Sequence, residues 1–170
     1  MIAESIGFVL SNLPAFLLVA ALLIAAIGRD NMSVSERFLS WILLLPVGVT
    51  GLWAGVFHLI FPGISAAYIG WQSSPFQFEV GMADLSIGVA AVASFWCSFP
   101  FKVAVVWVSS IFLLGDAVGH VRQMLATGNF ASGNAGTPFF MDIIVPVLSI
   151  ILSIMAHRNY EAGRRLRRIV

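Results

Sequence analysis

The sequence predicts an all-α fold, a polytopic membrane helical bundle with five transmembrane helices, and three observations carry that prediction. Hydrophobic residues make up 59% of the 170-residue chain and charged residues only 10%, against about 25% charged in soluble domains. Five apolar stretches reach or approach the roughly 20 residues that a helix needs to cross a bilayer. The basic residues fall almost entirely on alternate connections between those stretches, the bias that orients membrane proteins. Mean hydropathy is +0.97. The length suits one integral membrane domain over 1–170 without a separate soluble domain, and neither an internal repeat nor a low-complexity tract is evident.

The first span is expected over 7–27. A signal peptide would begin with basic residues and carry a shorter apolar core, whereas this segment opens with Glu4 and runs apolar to Ile27; it reads as a retained helix. Asn12 and Pro14 are its only notable residues, which places it at the periphery of a four-helix core. The second span, 38–60, carries Pro46, expected to kink it. Its Gly48, Gly51, Gly55 and His58 recur at steps of three and four and so share one face, and small residues let helices approach closely in lipid. In the third span, 80–99, Gly81, Asp84, Gly88 and Ala91 follow the same rule. Pro100 cannot continue that helix without a clash, so a tight hairpin leads into the fourth span, 101–121. There Asp116 and His120 stack four residues apart, with Ser109 seven before Asp116. The fifth span, 139–156, has an inward polar stripe of Asp142, Pro146, Ser149 and Ser153.

Two long connections remain. Residues 61–78 are rich in aromatics, Gly and Pro, which suits a re-entrant or surface-lying segment that covers the bundle at the membrane interface. Residues 123–138 are turn-rich, and their amides and Asn side chains are expected to cap the helix that follows.

Arg29, Arg37, Lys102, Arg158, Arg164, Arg165, Arg167 and Arg168 fall on one side of the predicted topology and Arg122 alone on the other. The N-terminus is therefore expected outside and the basic tail, 157–170, in the cytoplasm of a cell whose inner (plasma) membrane the chain crosses. Clustered Arg beside a membrane attracts anionic lipid at about 1 kcal/mol per charge. The simplest role for the tail is to anchor topology.

His58, Asp84, Asp116, His120 and Asp142 all lie near span ends that point away from the cytoplasm, with Glu79 close by. An ionisable group in hydrocarbon costs several kcal/mol unless it faces protein, water or a partner, so one-sided placement marks a candidate site. Two histidines with two or three carboxylates suit a divalent metal such as Zn, Fe, Mn or Cu, and the same groups suit a small polar ligand. Buried carboxylates and histidines also exchange protons, which admits a small proton-coupled transporter; lacking an inverted repeat, it would need a second copy. An accessory or assembly subunit of a larger membrane complex is the third reading. Against all of these, Asp116–His120 and His58–Asp84 read equally as structural pairs that tie helices together, and Glu79 as the first-turn carboxylate of its helix.

Other chemistry is poorly supported. One cysteine, Cys97, gives neither an internal disulfide nor a thiolate metal motif. No nucleophile elbow, P-loop or dinucleotide fingerprint is present, so no enzymatic reaction is specified. The basic tail has no folded reader beside it, which argues against nucleic acid. The expected partners are the lipid bilayer and either a second copy or a larger membrane complex.

The run Gly70-Trp71-Gln72-Ser73-Ser74-Pro75-Phe76-Gln77-Phe78-Glu79-Val80-Gly81, with Asp116, His120, Asn134-Ala135-Gly136 and Asp142 downstream, resembles a family of small bacterial and archaeal multi-pass membrane proteins of unknown function. The likeness covers most of 50–150 and implies an emphasis on Glu79, His120, Asn134 and Asp142; Asn134 and Ser149 enter the candidate site as supporting residues. A looser likeness to DoxX-like four-helix membrane bundles rests on Asp84-Leu85-x-x-Gly88 and the overall layout.

Overall fold

A computed structural model describes residues 2–166, and those residues form helices and connections without a strand. In chain order the helices are α1 (Ile2–Ser11), α2 (Leu13–Ile27), α3 (Val34–Ile42), α4 (Thr50–Ile60), α5 (Pro62–Ile69), α6 (Phe76–Ser94), α7 (Phe99–Thr127), α8 (Ser132–Ala135) and α9 (Thr137–Leu166), with a π-helical turn, Leu43–Val49, joining α3 to α4. Arg167 and Arg168 of the basic tail lie outside the described residues, as do the side chains of Arg164 and Arg165.

Among the described residues four helices are long and apolar enough to cross a bilayer, where five were expected: Val34–Ile60, Phe76–Ser94, Phe99–Thr127 and Ser132–Ala162. The first apolar stretch is divided at Asn12, and Pro14 opens α2, where a missing N–H costs nothing. That leaves α2 with 15 residues. Nor is α2 peripheral. Its Leu18, Ala21 and Ala25 are buried, and Leu18 and Ala21 join the core with Leu39, Ile42 and Leu43. Asn12 accepts a hydrogen bond from the Thr137 hydroxyl, and the Tyr68 hydroxyl donates to the Ser11 carbonyl at 3.2 Å. A stripe of Leu and Ala in an otherwise apolar helix has no polar face to mark its inner side.

Pro46 sits inside the π-helical turn. A wider turn is one way a helix absorbs the missing donor and the bulk of the ring. Beyond it the glycine faces meet as expected. α4 and α6 pack along much of their lengths, close enough that a Cβ on Gly55 would lie 2.8 Å from the Leu85 nitrogen and one on Gly88 2.6 Å from the Leu52 nitrogen. Backbone against backbone fixes the depth of His58 relative to Asp84. Ser98 and Pro100 then begin α7 after a four-residue break, the hairpin the proline predicted.

At the end of the bundle where α3 and α7 begin, Lys102 is almost fully buried and its Nζ lies 3.1 Å from Glu36 Oε1. It is an interior helix residue with a partner, where the sequence suggested a loop marker. Ser33 caps α3 by accepting from the Glu36 N–H at 3.3 Å, and the Arg37 side chain donates to the Ala25 carbonyl at 2.8 Å, closing the last turn of α2. The outward faces carry many large exposed apolar residues, among them Ile27, Trp96, Trp107, Ile111 and Leu125. Contiguous apolar surface on that scale is disfavoured in water and expected in lipid.

Candidate functional site

The chain direction collects the ionisable residues. α4 and α7 end, and α6 and α9 begin, at one end of the bundle, so His58 in the last turn of α4, Asp84 just short of the middle of α6, Asp116 and His120 in the second half of α7 and Asp142 early in α9 lie toward that end. All five line one cavity of about 510 Å³. The Asp84, Asp116 and Asp142 carboxyls lie within electrostatic reach of one another. Most of the wall is apolar, with Trp53, Phe57, Trp71 and Phe112 among its aromatics, and among the described residues no Lys or Arg is part of it.

Two of the expected residues fall elsewhere. Glu79 is exposed in the first turn of α6 and does not line the cavity; as a helix-start carboxylate it complements the dipole. Ser149 is buried, its hydroxyl without a partner among the described residues, but it lies two turns beyond Asp142 and outside the cavity wall. The metal expectation also finds no ligand set. Among the described residues no three His, Cys, Asp or Glu side chains converge closely enough to hold an ion.

The cavity is roofed by the two long connections, stitched together by asparagines. Asn129 Nδ2 donates to the Ile69 carbonyl at 2.9 Å. Trp71, from the first connection, donates its indole N–H to Asn134 Oδ1 at 2.9 Å. Gly133 lies against Tyr68 so tightly that a Cβ there would sit 2.6 Å from the Tyr68 carbonyl oxygen. Gly70 turns the chain with φ +69°, in the left-handed region that glycine enters without penalty. Coverage by residues 61–78 was expected from their composition; the partner of Asn134 was not. This residue is fully buried and, instead of capping α9, clasps the roof to α7: its Oδ1 is 2.8 Å from His120 Nδ1, and its Nδ2 donates to the carbonyls of Asn129 at 2.9 Å and His120 at 3.3 Å.

These contacts assign both histidine tautomers. An indole N–H only donates, so Asn134 must present its oxygen to Trp71, and His120 Nδ1, bonded to that same oxygen, must carry hydrogen. On α4 the logic reverses. Gln77 Nε2 donates to the Pro62 carbonyl at 2.8 Å, which fixes the amide, and the same nitrogen lies 3.3 Å from His58 Nδ1. His58 Nδ1 is therefore the acceptor. Gln77 was not singled out from the sequence, although it falls within the run Ser74-Pro75-Phe76-Gln77 that carried the family resemblance. His120 Nε2, the nitrogen left over, lies 3.5 Å from Asp142 Oδ2. The expected Asp116–His120 pairing is thus replaced by His120–Asp142, because Asn134 turns the ring toward α9.

An all-helical, multi-pass membrane protein with a roofed cavity of carboxylates and histidines at one end is the class that these features define. The chain belongs to a family of unknown function, DUF6790, whose model matches residues 11–162. That span includes every residue of the cavity named above. No curated protein and no solved structure matches the chain.

Proposed function

We propose that the chain binds a small organic cation in this cavity, an ammonium or similar group carrying an apolar body. One observation carries the reading: three carboxyls from three helices share a chamber whose wall contains no Lys or Arg and is otherwise largely apolar and aromatic. An anion would enter against three acidic groups with no compensating charge. A bare divalent ion needs several ligands at coordination distance, and the groups do not converge that closely. An organic cation makes neither demand. Its charge is balanced by carboxylates at longer range, aromatic faces attract it, and its apolar part is stabilised by leaving water. The volume of about 510 Å³ falls in the usual range for small-molecule sites.

Purified protein should be titrated with tetraalkylammonium ions, with carboxylates of matching shape, and with Mg²⁺ and Zn²⁺, following the thermal midpoint. A ligand at 100 times its Kd adds about 2.7 kcal/mol. The ammonium series should raise the midpoint and the carboxylates should leave it unchanged. Stabilisation by carboxylates, or by Zn²⁺ alone, would refute the cation reading.

The cavity is proposed to open on the extracytoplasmic side of the plasma membrane. Arg29, Arg37, Lys102 and Arg158 sit at the other end of the bundle and Arg122 at this one, the asymmetry that marks cytoplasmic ends. A reporter fused after Val170 should be active only in the cytoplasm and one inserted near Gly133 only outside; the reverse pattern would invert the assignment.

A second reading, cation transport, draws support from the buried hydroxyls. Thr50, Ser110 and Ser149 have no hydrogen-bond partner among the described residues and lie about 9–12 Å beyond the nearest of His58, Asp116 and Asp142 on their own helices, at 1.5 Å per residue. Buried unsatisfied hydroxyls are common sites for water, and here they extend polarity from the cavity toward the middle of the bundle. Ligand flux in sealed vesicles separates transport from binding alone.

A further inference from the structure

Two hydrogen-bond assignments meet at His120. Asn134 is held in one orientation by a donor on its oxygen side, Trp71 Nε1, and by two carbonyl acceptors, of Asn129 and His120, on its nitrogen side. With the amide fixed, His120 Nδ1 is permanently a donor, and Nε2 is the only atom of the ring that can gain or lose a proton. That ring is almost entirely buried, braced by Trp71 at 5.8 Å and Phe139 at 6.4 Å between centroids, and its Nε2 faces Asp142 Oδ2 at 3.5 Å. Two unprotonated atoms cannot share that contact comfortably, since a lone pair would oppose a carboxylate. One proton between them satisfies both, as imidazolium beside carboxylate or as carboxylic acid beside neutral imidazole.

The other titratable groups around the cavity set the charge balance. Asp84 from α6 and Asp116 from α7 face Asp142, His58 stands on α4 with its Nδ1 turned to Gln77, and Tyr68 from α5 donates its hydroxyl to Ser11. None of these supplies a fixed positive charge. His120 and Asp142 stand in contact, so the proton they share is the one that a cation seated beside Asp142 displaces.

We infer that the cavity exchanges one proton for one bound organic cation, and that the proton comes from the His120 Nε2–Asp142 pair. The inference rests on the cation reading given above and adds its coupling. On binding, the Nε2–H bond breaks, or the Asp142 O–H bond in the neutral form of the pair; the electron pair stays on the residue and the proton passes to solvent. The cation then takes the proton's place beside the Asp142 carboxylate, and the net charge of the chamber is unchanged. On release the proton returns. Asn134 acts as a positioning residue, keeping the exchangeable site on the nitrogen that faces the cavity.

Calorimetric titration of the full chain with a quaternary ammonium, which has no proton of its own, tests this directly. Run near neutral pH in two buffers of different ionisation enthalpy, the observed heats report how many protons leave per ligand bound. The expected result is one proton released per ligand bound by the wild type, and weaker binding without proton release by Asp142→Asn, in which Asp84 and Asp116 remain. Binding by the wild type without proton release would overturn the inference and leave the cation reading intact, as would undiminished release by Asp142→Asn. No binding heat in any buffer would instead remove the cation reading itself, and the inference with it. Should Asp142→Asn fail to fold or to bind, nitrogen-15 spectra of the wild-type imidazoles decide. His120 Nδ1 should be protonated with and without ligand, and Nε2 should be a bare nitrogen once ligand is bound. A bare Nδ1, or an Nε2 that stays protonated with ligand bound, would contradict the assignment.

Discussion

Replacing Gly88 with leucine is expected to leave little or no folded protein. A Cβ alone at that position would sit 2.6 Å from the Leu52 nitrogen and 3.0 Å from both the Gly48 carbonyl oxygen and the Gly51 carbonyl carbon. These are backbone atoms and cannot swing aside, so α4 and α6 would have to separate. Overpacking a well-filled interior costs about 1–3 kcal/mol and sometimes more; with backbone on the opposing side, the upper end or beyond is expected. Separation would also part the walls that carry His58 and Asp84, and the cavity would lose its shape even in any surviving fraction. Gly63→Leu supplies the control, because nothing lies within 4 Å of a Cβ there. Size-exclusion profiles and thermal midpoints in detergent should show the first variant aggregated or strongly destabilised and the second near wild type. A monodisperse, stable Gly88→Leu protein would show that the close approach of α4 and α6 is not what holds the bundle together.

The second large effect is expected at Asn134. Its amide bonds the Trp71 indole, the His120 ring and two backbone carbonyls, and it has no exposed surface. Asn134→Leu would leave those groups without partners, at about 1–3 kcal/mol for each one that stays buried. Trp71 can turn to solvent and recover part of that, so the loss should fall short of the sum. The roof should loosen over the cavity and His120 should lose its fixed tautomer. Thermal midpoint and the exposure of Trp71, read from its fluorescence, measure the two consequences separately. If midpoint and fluorescence both matched the wild type, the clasp would be dispensable and the roof held by Asn129 alone.

What the sequence made legible followed from spacing. The steps of three and four through Gly48, Gly51, Gly55 and His58, and through Gly81, Asp84 and Gly88, placed two helices face to face, because helical periodicity and residue size together specify that contact. Pro100 located the hairpin. The same reasoning brought His58, Asp84, Asp116, His120 and Asp142 to one end, where they line one cavity. Glu79 was read both as a member of that group and as the first-turn carboxylate of its helix, and its place at the start of α6 turns it outward. Nor could it decide how the groups pair, since the choice between Asp116 and Asp142 for His120 depends on ring rotation, and Asn134, 14 residues away, sets that rotation. The buried Lys102–Glu36 pair was missed for a related reason: a lysine two residues past a proline reads as a loop marker until α3 is seen to pass beside it. The core role of α2 rests on Leu18, Ala21 and Ala25, and an apolar stripe in an apolar helix carries no contrast.

Equilibrium binding of a quaternary ammonium to the wild type and to the combined variant Asp84→Asn, Asp116→Asn, Asp142→Asn tests the central claim most directly. The amides preserve shape and polarity while removing the three acidic groups that line the cavity. The wild type should bind saturably with one ligand per chain. The variant should be weaker by at least about 30-fold, the equivalent of about 2 kcal/mol for loss of a buried charge partner, and should remain folded by size exclusion. Binding that did not saturate, or a folded variant with wild-type affinity, would contradict the assignment of this cavity to an organic cation.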